Sequence, residues 1–157
     1  RWGRNRSIDV AVDFVVRLPA GTPLHAAMVT GDIDVAGVRS DVTANTVTGD
    51  ITVSTTGVAH ASTVSGSLDV AMGSGEWDDL DFSTVSGDIT LRFPPGLDAD
   101  VDFTSLSGDL ESDFDVTPRE RARRQWVGAR VRGTIGDGGR SLSVKTVSGD
   151  LRLVRTR

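Results

Sequence analysis

One eight-residue segment recurs along almost the whole chain, and this recurrence limits the folds open to it more than any other feature. Thr46-Val-Thr-Gly-Asp-Ile-Thr-Val53 has relatives at Met28–Val35, Thr63–Val70, Thr84–Leu91, Ser105–Ser112 and Thr146–Leu153. The glycines of the six copies stand at 31, 49, 66, 87, 108 and 149, so successive copies are 18, 17, 21, 21 and 41 residues apart. An interval near 20 is the length of one solenoid coil. A repeat this short cannot bury its own apolar side, so neighbouring copies must supply the core by stacking. The last gap is close to two intervals, and a degenerate extra coil is expected between Gly108 and Gly149.

Within a copy, Val47, Ile51 and Val53 share one parity with Gly49, while Thr46, Thr48, Asp50 and Thr52 share the other. That is the period-2 pattern of a half-buried strand rich in β-branched residues. No Asn-Gly hairpin turn separates the copies, which points to parallel, in-register stacking rather than a meander. The expected fold is therefore all-β: a single-domain β-solenoid over residues 1–157, of parallel stacked coils with a period of about 20 residues. About seven coils at a spacing of about 4.8 Å make a rod roughly 30 to 35 Å long. Val47, Ile51 and Val53, with Val64, Leu68 and Val70 and with Val85, Ile89 and Leu91, are expected to face one core. Residues 1–20 are expected to form an N-terminal strand and cap, because Ile8-Asp-Val-Ala-Val-Asp-Phe14 alternates cleanly. Residues 21–112 are the regular coils, 113–140 an irregular basic insert and 141–157 the last repeat. Val16-Arg-Leu-Pro-Ala-Gly21 and Leu91-Arg-Phe-Pro-Pro-Gly96 also repeat each other, with proline suited to a strand exit and glycine to the turn after it.

Composition removes several function classes. The chain has 157 residues and no cysteine, which excludes disulfides and thiol chemistry. Its longest apolar run, Ala26 to Val29, is far short of the roughly 18 residues that cross a bilayer. It starts at Arg1 without a signal-like segment, as expected of a processed or excised piece. Net charge is −5, unevenly spread: residues 9–115 hold 19 acids and three Arg, whereas 116–157 hold ten Arg and one Lys against three acids. An acidic body disfavours nucleic acid. If sequence order is spatial order, the rod has an acidic body and a basic end, and weak end-to-end self-association is expected. The run Arg119-Glu-Arg-Ala-Arg-Arg124 follows Thr117-Pro118, a short helical or irregular excursion is expected there, and helix is expected to amount to at most one short segment near residues 117–126. It reads as a solvated loop, or else as a dock for an acidic partner or anionic headgroups.

Residue types that carry chemistry are sparse. In-register stacking aligns Asp32 with Asp50 and Asp88 with Asp109, with Ser67 interrupting the row. Adjacent carboxylates at about 4.8 Å repel by roughly 1 kcal/mol in water, so each is expected to accept backbone N–H or hydroxyl bonds; a cation between rows is the alternative. Glu76-Trp-Asp-Asp-Leu-Asp81 is the densest acidic cluster, read as a solvated turn with Trp77 tucked under the next coil rather than as a cation site or a sugar platform. Trp2 and Trp126 suit caps. His25 and His60 fall in different coils without metal-ligand spacing. Gly133-Thr-Ile-Gly-Asp-Gly-Gly139 lacks the Lys-Ser/Thr of a phosphate loop, and no Gly-x-Ser-x-Gly elbow occurs. No catalytic residue, metal ligand or cofactor is assigned.

The Thr-Val-Ser-Gly-Asp-Ile repeats, the Leu-Pro-Ala-Gly turn, Ser112-Asp-Phe114 and the closing Gly133–Gly139 and Thr146–Asp150 segments together resemble the bacterial toast-rack family, whose members often carry the label adhesin. The resemblance implies a one-domain β-solenoid from envelope-associated or signalling-associated proteins, with no catalytic residues to carry over. This chain departs from it at Ser67, in place of the repeat Asp, and in the basic insert from Arg119 to Arg132. The functional expectation is a non-enzymatic interaction or scaffold module with a protein partner, at a bacterial envelope or outside the cell, with the cytoplasm as the other setting. A carbohydrate-binding or carbohydrate-processing solenoid is the alternative.

Overall fold

Each repeat is divided by its glycine, and the two halves lie in different sheets. The computed structural model describes residues 12–118 and 129–157. Upstream halves form β1 (Leu24–Ala27), β3 (Val42–Thr48), β5 (Ala59–Ser65), β7 (Asp79–Ser86), β9 (Ala99–Ser107) and β13 (Ser141–Ser148). Downstream halves form β2 (Ile33–Val38), β4 (Ile51–Thr55), β6 (Leu68–Met72), β8 (Ile89–Phe93), β10 (Leu110–Ser112) and β14 (Leu151–Arg155). Two further strands, β11 (Val116–Pro118) and β12 (Ala129–Ile135), come from the insert. Sheet A runs β1-β3-β5-β7-β13-β9-β12-β11 and sheet B runs β10-β14-β8-β6-β4-β2. All upstream and downstream halves pair in parallel, and no helix occurs among the described residues. The fold is an all-β solenoid of parallel coils.

Between the sheets, like residues stack on like. One row of sheet A reads Ala26, Ala44, Ala61, Phe82, Val144 and Phe103 in spatial order. The facing row of sheet B reads Ile33, Ile51, Leu68, Ile89, Leu151 and Leu110. Phe82, Phe103, Ile51, Leu68, Ile89 and Leu151 are fully buried. Each such side chain contributes about 1.5–3 kcal/mol by leaving water. The core is thus thinnest at the β1 end, where alanines face sheet B, and thickest around β7, β13 and β9.

Two sequence expectations are corrected here. First, Val47, Val64 and Val85 are not core residues: they are 46–47% exposed, while Thr46, Thr63 and Thr84 beside them are buried. The strand alternates inward at Val42, Ala44 and Thr46, and inward pointing resumes at Ile51, an odd number of residues later. The corner at Gly49 resets the parity, and the valine just before it turns outward. Second, the last repeat does not extend the stack, and among the described residues from Gly108 to Gly149 no extra parallel coil is formed. Strands β13 and β14 insert between the coil of β7 and β8 and the coil of β9 and β10. The stretch after β10 instead includes β11 and β12, and β12 runs antiparallel to both β9 and β11. The described residues make six coils, where about seven were expected. The rod spans about 34 Å across the eight strands of sheet A and about 24 Å across the six of sheet B at the usual strand spacing.

Charge supplies a physical reason for the insertion. Stacked in sequence order, Asp79 would lie against Asp100 and Asp81 against Asp102. The inserted strand places Ser141 between the first two and Ser143 between the second two. It also sets Arg152 between Thr90 and Glu111. The charges of the last repeat are therefore interleaved with the acidic coils instead of standing at the end of the stack. At the other end, residues 12–18 are in no strand, contrary to the N-terminal strand expected there; Thr117 and Pro118, at the start of the expected helix, are instead in β11, and the rest of both segments, with Arg119–Arg124, lies outside the described residues.

Candidate functional site

The most regular surface feature is the corner where each coil passes from sheet A to sheet B. Gly87 illustrates why glycine is required there. Its φ is +145°, and a Cβ at this position would lie 2.0 Å from the Gly66 carbonyl oxygen. Gly149 repeats the arrangement at φ +146°, its notional Cβ 2.1 Å from the Gly87 oxygen, which again places the last repeat directly on the fourth. Both conformation and space exclude a side chain.

Four parallel rows run along this corner. Innermost are the buried hydroxyls of Thr46, Thr63, Thr84, Thr146 and Ser105, in register. Thr63 donates to the Gly49 carbonyl at 3.3 Å and Thr84 to the Gly66 carbonyl at 3.4 Å, whereas the Thr146 and Ser105 hydroxyls have no partner. Outside them stands an apolar row of Val29, Val47, Val64, Val85, Val147 and Leu106, between 44% and 74% exposed. Next comes a hydroxyl row, Thr30, Thr48, Ser65, Ser86, Ser148 and Ser107. Outermost are the repeat Asp residues. Sequence reasoning placed the valines in the core. The signal for their true position lay upstream: Leu80 and Phe82, the large residues of β7, share parity with Thr84 and so send Val85 outward.

The Asp row is a hydrogen-bonded ladder. Asp32 Oδ1 accepts the Asp50 N–H at 2.9 Å, and Asp50 Oδ1 accepts the Ser67 N–H at 2.7 Å. Beyond the break at Ser67, Asp88 accepts the Asp150 N–H at 3.0 Å and Asp150 the Asp109 N–H at 2.9 Å. Asp88 therefore stacks on Asp150, not on Asp109 as sequence order suggested. The carboxylates of Asp32, Asp50, Asp88 and Asp150 are thus each held by a backbone N–H of the neighbouring coil, as expected of hydrogen-bonded rather than cation-bound rows. Among the described residues no group of three or more His, Cys, Asp and Glu is placed to hold a metal ion.

The other sequence candidates disperse. Trp77 is only 3% exposed, packs on Phe93 with ring centroids 5.8 Å apart, and is covered by the Arg140 guanidinium at 5.2 Å. It tucks into the core as expected and is not an exposed platform for a sugar ring. His25 and His60 lie on the outer face of sheet A with Thr43 between them, and His60 stands opposite Asp81. Gly136 and Gly138 make a turn against Asp98 and Asp100, with Asp98 accepting the Asp137 N–H at 2.9 Å. Trp2 and Trp126 lie outside the described residues. The insert brings one charge cluster that sequence reading did not foresee. Arg130 binds Asp102 through two nitrogens, at 3.2 and 2.8 Å, and Arg132 adds a third bond at 3.1 Å. The hydrogen bond from Arg130 holds the Asp102 carboxyl below its ordinary range, against partial burial, and Arg132 adds to the effect. Arg92 with Asp69, Arg152 with Glu111 and Lys145 with Asp81 make further surface pairs.

The family model of the Toastrack DUF4097 domain matches residues 28–154. The chain belongs to that family. The matched stretch opens at the first repeat copy and closes with the last, so the Toastrack unit includes both the inserted coil and the insert that carries β11 and β12. No curated protein and no solved structure matches this Toastrack chain. No helix among its described residues is long and apolar enough to cross a membrane.

Proposed function

We propose that this Toastrack chain is a non-catalytic interaction and scaffold module of a bacterial, envelope-associated protein, adhesin-like in engaging a protein partner along its flank. The observation that carries the reading is the corner row of Val29, Val47, Val64, Val85, Val147 and Leu106. At about 4.8 Å per coil it forms an exposed apolar strip about 24 Å long. Single exposed valines need no explanation, but a continuous strip of them on a soluble surface marks an interaction site. Hydroxyls and carboxylates run alongside, as a polar rim beside an apolar centre does in protein interfaces. The envelope is the setting implied by the resemblance to toast-rack proteins.

The test compares proteins captured from the host by the full-length protein and by the triple variant Val47→Ser, Val64→Ser, Val85→Ser. The three sites are half exposed, so the denaturation midpoint should change little, by about 0.5 kcal/mol per site. Partners retained by a control variant at Thr52 and Thr90, on the outer face of sheet B, should be lost by the triple variant. An identical set of captured proteins from both variants would refute the corner as the binding surface.

A further inference from the structure

Sheet B ends at β2, whose outer edge bears no strand among the described residues. The apolar side of that end is loosely filled rather than closely packed: Ile33 and Val35, each 6% exposed, and the half-buried Val38 line a cavity of about 550 Å³. The opposite wall of the same cavity is the strap of residues 14–18, which contributes Phe14, Val16 and Leu18. This strap is strongly apolar yet solvent-facing, with Phe14 80% and Val16 70% exposed. Free edges and uncovered apolar ends are what solenoids cap.

The repeat itself names the cap. Val16-Arg-Leu-Pro-Ala-Gly21 corresponds to Leu91-Arg-Phe-Pro-Pro-Gly96, and the two closing glycines share one conformation, with φ +83° at Gly21 and +84° at Gly96. In the second instance the residues before the turn are β8, a sheet B strand, and those after it lead to β9 in sheet A. In the first instance the residues after the turn lead to β1, also in sheet A. The residues before it occupy the place of a sheet B strand and have its pattern: Phe14, Val16 and Leu18 correspond to the buried Ile89, Leu91 and Phe93. Reach is no obstacle. Residues 94–98 carry the chain from β8 past the inserted coil to β9, and the equally long 19–23 has only one coil to cross.

We propose that the free edge of β2 is a strand-acceptor site and that its occupant is this chain's own segment Phe14–Leu18, docking in parallel. The register follows from the core rows: Phe14 lies beside Ile33, Val15 beside Asp34, Val16 beside Val35, and Leu18 beside Val38 across the bulge at Ala36 and Gly37. Docking extends sheet B by one strand, covers the cavity with three apolar side chains, and converts the open end into a closed one.

The chain has no cysteine, so a cysteine pair reads this register directly. Val15 and Asp34 both point outward, and neighbouring parallel strands bring Cα atoms within the roughly 4.4–6.8 Å that a disulfide spans. In the full chain, Val15→Cys with Asp34→Cys is expected to oxidise to a monomeric, internally bridged form. Val15→Cys with Thr52→Cys, one strand further away, is expected to stay reduced. A bridge formed only between two molecules would mean that a second copy's strand fills the site, and would overturn the proposal, as would no bridge at all. Because a disulfide can trap a rare state, a second variant accompanies it. Val16→Ser should lower the denaturation midpoint measurably, and amide exchange at 14–18 should be slowed in the unmodified chain. An unchanged midpoint with fast exchange would show that the strap stays off the edge.

Discussion

The first three coils and the C-terminal part of the molecule use the same repeat in different ways. From β1 to β6, each coil lies on the one next in sequence, and the contacts that join coils link residues 17 or 18 apart, as in the bonds from Asp50 to Asp32 and from Ser67 to Asp50. Around the last repeat the same bonds form between residues 62 and 41 apart, from Asp150 to Asp88 and from Asp109 to Asp150. The local geometry is closely similar: φ is +145° at Gly87 and +146° at Gly149, against +142° at Gly49 and +150° at Gly66, and all four bonds are 2.7–3.0 Å long. A repeat therefore fixes the shape of a coil without fixing its neighbour. What selects the neighbour lies outside the repeat: a linker long enough to pass over a coil, and carboxylates that would face each other unless Ser141 and Ser143 came between them.

If the last repeat is an interior layer, its removal should damage the molecule far more than removal of the first. A chain ending at Arg140 would leave β7 and β9 each unpaired on one side and β10 with no neighbour at all, and is expected to lose its cooperative thermal transition by circular dichroism. A chain starting at Arg39 loses only a thin end layer and should keep that transition at a lower midpoint. Next in size, Gly149→Val should cost about 3–5 kcal/mol, from strain at positive φ plus a clash with the Gly87 oxygen. Equal cost at Gly87→Val, measured by urea denaturation, would show that inserted and regular corners are equivalent. Hydroxyls in the corner sharpen the contrast further. Thr146→Val should stabilise by about 1 kcal/mol because that buried oxygen has no partner, whereas Thr84→Val, which loses a long bond, should be neutral or slightly destabilising.

The smallest effect concerns acid. Asp102 has a folded pKa below its unfolded value because of Arg130 and Arg132. Its pairing therefore stabilises the fold fully above the ordinary carboxylate range of about 4. That contribution should fade as pH falls from there through the depressed folded value. The group is more than a third exposed, so the contribution is under about 1 kcal/mol. Comparing Asp102→Asn with the unmodified chain at pH 7 and at pH 3 should show a larger stability difference at the higher pH.

Much of this was legible in the amino acids. Downstream strands such as Ile51–Val53 and Ile89–Leu91 announce their buried faces by alternation alone, and the constant interval announces parallel stacking. The corner was misread because alternation was carried through Gly49, where the positive φ breaks it; nothing in the letters states a dihedral angle, although Leu80 and Phe82 on the other parity were evidence of it. The exposed valine strip was missed for the same reason. The insertion was illegible at the level of motifs, since Val85–Asp88 and Val147–Asp150 have identical sequences and either stacking order satisfies them. It could be reached only by placing Asp79, Asp81, Asp100 and Asp102 on facing strands and asking what separates them.

The stacking order itself can be read with two cysteine pairs on the outer face of sheet A. Position 143 lies between positions 81 and 102, each an adjacent strand away, while 81 and 102 are two strands apart, about 9.6 Å and beyond disulfide reach. Asp81→Cys with Ser143→Cys is expected to form an intramolecular bridge under mild oxidation, and Asp81→Cys with Asp102→Cys is expected to remain reduced. A bridge between 81 and 102, with none between 81 and 143, would mean that the coils stack in chain order and that the last repeat sits elsewhere.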